Sequence, residues 1–193
     1  MVNIYIFDQS IIKNIKSMYD ELPLSVQKYI DKYKQIERKY SSILAYHKLC
    51  EVLSLDKNVE LEFNQYGKPS IKGVYFNISH SLNISILAIG DSPLGVDVEY
   101  INPVRDYEKL IEKVLSKEEI KEYHSSSDKN SFFVKKWTEK EAYFKYLGTG
   151  INVNYLNINI DKEIFSKKVK DSFLNEYYLS LVSDSLNEIN IIE

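Results

Sequence analysis

Asp97 and Glu99 are the first residues that suggest chemistry. They stand in Leu94-Gly95-Val96-Asp97-Val98-Glu99, where valines alternate with acids, so in a strand both carboxylates project from one face. Their Cα atoms then lie about 6.5–7 Å apart, close enough to engage one hard cation or its water shell. Further on, Trp137, Glu141 and Lys145 recur every fourth residue in Trp137-Thr138-Glu139-Lys140-Glu141-Ala142-Tyr143-Phe144-Lys145, one stripe of a helix. Glu141 would complete an oxygen-only site of the kind magnesium prefers. Phe76-Asn77-Ile78-Ser79-His80-Ser81 closes a β-rich run, and Ser and His side chains at a strand end can donate hydrogen bonds to a phosphate. Tyr66-Gly67-Lys68-Pro69 places a lysine in a tight turn. Each signal alone has a plainer reading: a solvated strand face, a surface ion pair, a structural histidine, a turn lysine.

The elements that must position these residues follow from periodicity. Residues 2–7 alternate and predict a half-buried strand. A helical pattern opens at Ser25 after Pro23 and reaches about Leu55, with Tyr29, Tyr33, Ile36, Tyr40, Ile43, Leu44 and Leu49 on one stripe. Short β-rich runs at 59–63, 74–79, 84–89 and 94–100 are parted by turn residues, as in an antiparallel sheet. Residues 106–124 read as helical, with Ser116 and Glu119 in capping-box spacing. A second helix runs from Ser131 to Leu147 and ends at Gly148-Thr149-Gly150. Strands return near 155–160, 176–182 and 188–192. Strand-helix-strands therefore occurs on both sides of about residue 95, a weak internal repeat.

Composition bounds the rest. The chain has 193 residues, 44% apolar and 27% charged, enough for a sizeable core in one domain or two small packed lobes. A net charge of −3 argues against a general nucleic-acid binder. No apolar run is long enough to span a membrane, and the start lacks a signal-peptide pattern, so the expected location is the cytoplasm. Cys50 is the one cysteine, which excludes an internal disulfide or a cysteine metal cluster. Only Arg38 and Arg105 represent arginine in a chain rich in Lys, Asn, Ile and Tyr.

Taken in order, Tyr-Gly-Lys-Pro, Phe-Asn-Ile-Ser-His-Ser, Gly-Val-Asp-Val-Glu and Trp-x-x-Lys-Glu-Ala-x-x-Lys resemble the surfactin-type phosphopantetheinyl transferases, from about Leu61 to Ile151. The resemblance implies an α+β pseudo-dimer of two similar lobes, residues 1–95 and 96–193, forming one catalytic unit with coenzyme A in the cleft. It implies transfer of the 4'-phosphopantetheine arm of coenzyme A to a serine of an apo acyl or peptidyl carrier protein, with Mg2+ as cofactor. Carried over by position, Asp97, Glu99 and Glu141 become the magnesium ligands. Lys68, Ser79 and His80 would hold the nucleotide, with His80 on its 3'-phosphate. Lys145 would lie against the pyrophosphate, Lys140 nearby, and Lys28 would add a basic contact from the N-terminal helix. Ser41 stands where the family has an arginine, with Arg38 or Lys39 as possible replacements. Glu141 is the first choice of base, a water held by the metal the alternative. The two lobes complete their own site, so a monomer is expected. Lys109, Lys113, Lys117 and Lys121 repeat at four-residue spacing and offer a dock for an acidic carrier, or a solvated helix face. Rival readings are a non-catalytic module that binds coenzyme A or a carrier, and an unrelated α+β protein.

Overall fold

Val2, Ile4 and Ile6 turn to one side of β1 (Val2–Asp8), as their period of two predicts. The computed structural model describes residues 1–11, 13–150, 158 and 160–193. β1 lies inside a four-stranded sheet of order β4-β5-β1-β9, with β4 (Tyr75–Ser81), β5 (Ile84–Gly90) and β9 (Ile189–Ile192). β5 is antiparallel to both its neighbours, whereas β9 runs parallel to β1, so the last strand joins the first sheet. A three-stranded antiparallel sheet, order β6-β8-β7, is built from β6 (Leu94–Tyr100), β7 (Glu163–Lys170) and β8 (Glu176–Ser183). A short ribbon pairs β2 (Glu62–Phe63) with β3 (Pro69–Ser70). The chain is thus α+β, as expected.

The two larger sheets share a core. Val2, Ile4, Ile84 and Ile86 of one meet Val96, Val98, Leu179 and Leu181 of the other, all but solvent-free, each worth about 1.5–3 kcal/mol of transfer free energy. The opposite face of the first sheet, through Leu87 and Phe76, packs on α1 (Ile15–Glu21), α2 (Leu24–Ile30) and α3 (Ile36–Leu53). A third core gathers α4 (Glu108–Val114), α5 (Lys117–Ser125) and α6 (Lys129–Leu147) around Tyr107 and Phe133.

Several boundaries differ from expectation for identifiable reasons. The single helix expected from Ser25 breaks between Ile30 and Ile36, where Tyr33 turns edge-on to Tyr29 and carries the Arg38 guanidinium 4.2 Å from its ring centre. Ring packing overrides helix propensity there. The helical stretch at 106–124 keeps its expected capping box, with Ser116 and Glu119 starting α5 after α4 ends at Val114. α6 ends at Gly148, at a φ of 70°. The expected strand at 59–63 shrinks to β2, and that at 155–160 lies mainly outside the described residues. β7 was not legible because its apolar residues do not alternate. It is an edge strand, and its Lys167, Lys168 and Lys170 discourage pairing with another chain. Among the described residues no helix is long and apolar enough to cross a membrane.

Candidate active site

β4 and β6 belong to different sheets, and side chains bind them where a backbone ladder is absent. Asn77, Ser79 and Ser81 share one face of β4 by their period of two. Asn77 Oδ1 accepts from the Val96 amide at 2.9 Å. Ser79 Oγ donates to Asp97 Oδ1 at 2.7 Å, and Ser81 Oγ to Glu99 Oε2 at 2.8 Å. Ser81 Oγ also accepts from the Tyr100 amide at 3.1 Å. Gly95 lets α6 settle directly on β6, since a Cβ there would come within 2.1 Å of both Ala142 O and Tyr146 N. That close approach brings Lys145 Nζ to 2.8 Å from Asp97 Oδ1 and 2.6 Å from Ser79 Oγ.

Two carboxylates on one buried face with one lysine leave the seam short of positive charge. Asp97 is 4% exposed, and its Oδ2 is buried with no hydrogen-bond partner. Burial and then the neighbouring Asp97 charge push the Glu99 carboxyl up to about 7, against the pull of Ser81, Lys145 and Arg105. Among the described residues no three His, Cys, Asp or Glu side chains are grouped closely enough to hold a metal ion. The expected triad is therefore not preassembled: Asp97 and Glu99 adjoin on β6, and Glu141 is buried on α6. The orphaned Asp97 oxygen and the raised Glu99 do suit a hard cation that takes its other ligands from phosphate and water.

Beside this seam lies a cavity of about 320 Å3, lined by Ser79, His80, Lys145, Lys68, Arg38 and a wall of tyrosines that includes Tyr29, Tyr33 and Tyr66. Burial, then the charges of Lys145 and Arg38, push the His80 imidazole down to about 4, so it is neutral at pH 7. The ammonium of Lys145 and the guanidinium of Arg38, both lining this cavity, favour an anion within it. Lys68 reaches the cavity through a turn in which Gly67 adopts a φ of 82° and accepts a hydrogen bond from Tyr29 Oη at 3.1 Å. Its ammonium, its pKa lowered by burial, donates to the carbonyls of Lys145 and Tyr146 in the last turn of α6. There it also complements the helix dipole.

The structure brings together Lys68, Ser79, His80, Asp97, Glu99 and Lys145 from the sequence-predicted set. Of the rest, Glu141 is buried on α6 and two lie away from the cavity. Lys140 is 4% exposed and buried on the far side of α6, where it donates to Val114 O and pairs with Glu119 at 2.6 Å. It anchors α6 to the α4–α5 junction. Lys28 is exposed on α2 and does not line the cavity, although its neighbour Tyr29 does. Ser41 is buried and donates to Glu37 O at 2.8 Å within α3. Arg38, one turn earlier, lines the cavity instead, while Lys39 is 3.8 Å from Asp31. Sequence reading gave no role to Asn77 or Gly95 and read Ser81 as a phosphate donor rather than a partner of Glu99, although the period of two in Asn77-x-Ser79-x-Ser81 marks a polar stripe.

The family model described as the 4'-phosphopantetheinyl transferase superfamily matches residues 93–184, which include Asp97, Glu99, Glu141 and Lys145. The chain belongs to this superfamily. The 4'-phosphopantetheinyl transferase gsp of Aneurinibacillus migulanus is 31% identical over 140 residues, 68% of this chain and 58% of that protein. HetI of Nostoc, of the same name, is 34% identical over 102 residues, 48% and 43% of the two chains. Sfp of Bacillus subtilis is 30% identical over 105 residues, 51% and 46%. The alignments span about half the length of these transferases.

Proposed function

We propose that the chain transfers the 4'-phosphopantetheine arm of coenzyme A to a serine of an apo acyl or peptidyl carrier protein, releasing adenosine 3',5'-bisphosphate. The observation that carries this reading is the cation-lined cavity opening beside two crowded carboxylates, one with a buried oxygen left unpartnered. The superfamily and the names of its relatives agree with it.

In this reading the nucleotide occupies the cavity, with Arg38 and His80 on its phosphate monoester and Tyr33 or Tyr66 along the base. The pyrophosphate lies toward Lys145. The serine oxygen attacks the β-phosphorus, the bond from that phosphorus to the bridging oxygen breaks, and the nucleotide leaves with the electron pair. Lys145 shares the charge that builds on the leaving oxygen. Glu141 takes the serine proton, directly or through water. Asp97 and Glu99 would hold Mg2+ with Glu141 as a further oxygen, and the ion would supply neutralisation of the pyrophosphate charge. Residues 1–95 and 96–193 act as two lobes of one monomeric unit in the cytoplasm, with β9 lent back to the first lobe.

Incubation with apo carrier proteins, coenzyme A and Mg2+, followed by mass measurement of the carrier, tests the reading. The expected result is a gain of the phosphopantetheine mass. No gain with carriers of both fatty-acid and peptide-synthetase types would refute it.

A further inference from the structure

The break between α2, which ends at Ile30, and α3, which begins at Ile36, sets which side chains can meet. In one continuous helix residues five apart lie about 140° apart around the axis, so positions 33 and 38 would face away from each other. The break brings them together: the Arg38 guanidinium lies 4.2 Å from the Tyr33 ring centre. Tyr33 in turn meets Tyr29 edge-on, with ring centres 5.4 Å apart. Tyr29 stacks on Phe63 of β2, with ring centres 4.0 Å apart and planes 14° from parallel. Its hydroxyl donates to Gly67 O, in the turn that carries Lys68. A ladder of three rings thus runs from the β2–β3 ribbon to Arg38.

Each end of the ladder adjoins a cation of the same cavity. Arg38, Ser42 and Tyr46, four residues apart, are the part of α3 that lines it, and Arg38 is the cation among them. Lys68 lines it from the ribbon side. Ser41 turns its hydroxyl to Glu37 O within α3 and does not line the cavity. Arg38 is exposed, and an unsupported arginine samples many rotamers that a ligand must then freeze. A ring under the guanidinium restrains it from one face and leaves the N–H donors at its edge to fork onto phosphate. A carboxylate partner would compete for those donors, as Asp31, 3.8 Å away, draws the charge of Lys39.

Resting on the coenzyme A site of the transferase reading above, we propose that Tyr33 is a positioning residue for the nucleotide. It presents Arg38 to the phosphate monoester of coenzyme A and, through Tyr29, ties that arginine to the Lys68 turn on the opposite wall. The ring of Tyr33 acts through Arg38 and needs no contact of its own with the phosphate.

The test is calorimetric titration with coenzyme A and, separately, with coenzyme A lacking its 3'-phosphate. Tyr33→Leu should weaken coenzyme A binding about fivefold and leave the 3'-dephospho form within about twofold, which also reports that the variant folds. Tyr33→Phe keeps the ring and should stay within about twofold of the unaltered chain for both ligands. In an Arg38→Ala background, Tyr33→Leu should weaken coenzyme A binding by less than about twofold more, because the group it positions is gone. Equal losses for the two ligands, a Tyr33→Phe loss as large as that of Tyr33→Leu, or an undiminished Tyr33→Leu loss without Arg38 overturns the proposal. Coenzyme A binding by the unaltered chain without transfer to any carrier removes the transferase reading alone, since the Tyr33 comparison is read in affinities. No coenzyme A binding by the unaltered chain removes both.

Discussion

Glu99 shows how one residue's surroundings set its chemistry. Its carboxyl rises to about 7 because it is buried beside Asp97, and Lys145 offsets only part of the repulsion. Between about pH 4.5 and 7 the folded chain therefore holds a proton that the unfolded chain has released, so stability falls as pH rises through that window. Denaturant unfolding in a chelator should show a loss of about 1–3 kcal/mol from pH 5 to pH 8. Glu99→Gln should remove most of that decline, and Mg2+ should oppose it in the unaltered protein. Arg38 gives a second prediction at this scale. Loss of a charge-assisted contact costs about 1.5–3 kcal/mol, so Arg38→Ala should weaken coenzyme A binding about tenfold or more by calorimetry. Lys39→Ala, at a residue already near Asp31, should leave the affinity unchanged.

The decisive element contact is α6 on β6. Asp97 and Lys145 meet only because Gly95 offers no side chain to the helix backbone, and the atoms a Cβ would strike are main-chain atoms that cannot rotate aside. Gly95→Ala should therefore cost more than the usual overpacking range of about 1–3 kcal/mol, or displace α6. The measurement is denaturant unfolding paired with near-UV spectra of Trp137, which lies on that helix. Stability within about 0.5 kcal/mol of the unaltered protein would show that the packing is looser than described. Lys140 belongs to this scale too. It stands in the same helical motif as Glu141, yet its register turns it toward Glu119 and the α4–α5 junction.

At the scale of the molecule, two sheets are stitched at the β4–β6 seam and clipped again just beyond it, between the β4–β5 and β7–β8 turns. Asp171, in the β7–β8 turn, accepts from Asn83 of the β4–β5 turn at 3.0 Å, from Asn175 at 2.8 Å and from Tyr177 at 2.9 Å. Burial alone would raise its carboxyl, but the bonds from Asn175, Asn83 and Tyr177 outweigh it and hold it down at about 2. The clip is thus present above the ordinary carboxylate range and is lost as pH falls toward 2. Asp171→Ala leaves several donors without a partner and should destabilise the whole molecule by about 2–4 kcal/mol, seen as one cooperative transition at lower denaturant.

The strands, α6 and the motif residues were legible because each rests on local periodicity. Val96 and Val98 alternate with Asp97 and Glu99, and Gly148 ends a helix, whatever lies around them. The break before α3, the edge strand β7 and the direction of Lys140 were not legible, because ring stacking, sheet order and helix register are settled between segments distant in sequence. The sequence by itself determined which residue types were available for phosphate and cation chemistry and the order in which they come. Only the tertiary structure decided that Asp97 and Lys145 form a pair, that Arg38 rather than Ser41 lines the cavity, and that Arg105 and Glu99 line a recess apart from it. The physical reason is that electrostatics depends on distance and burial, and neither exists until the two sheets close on one another.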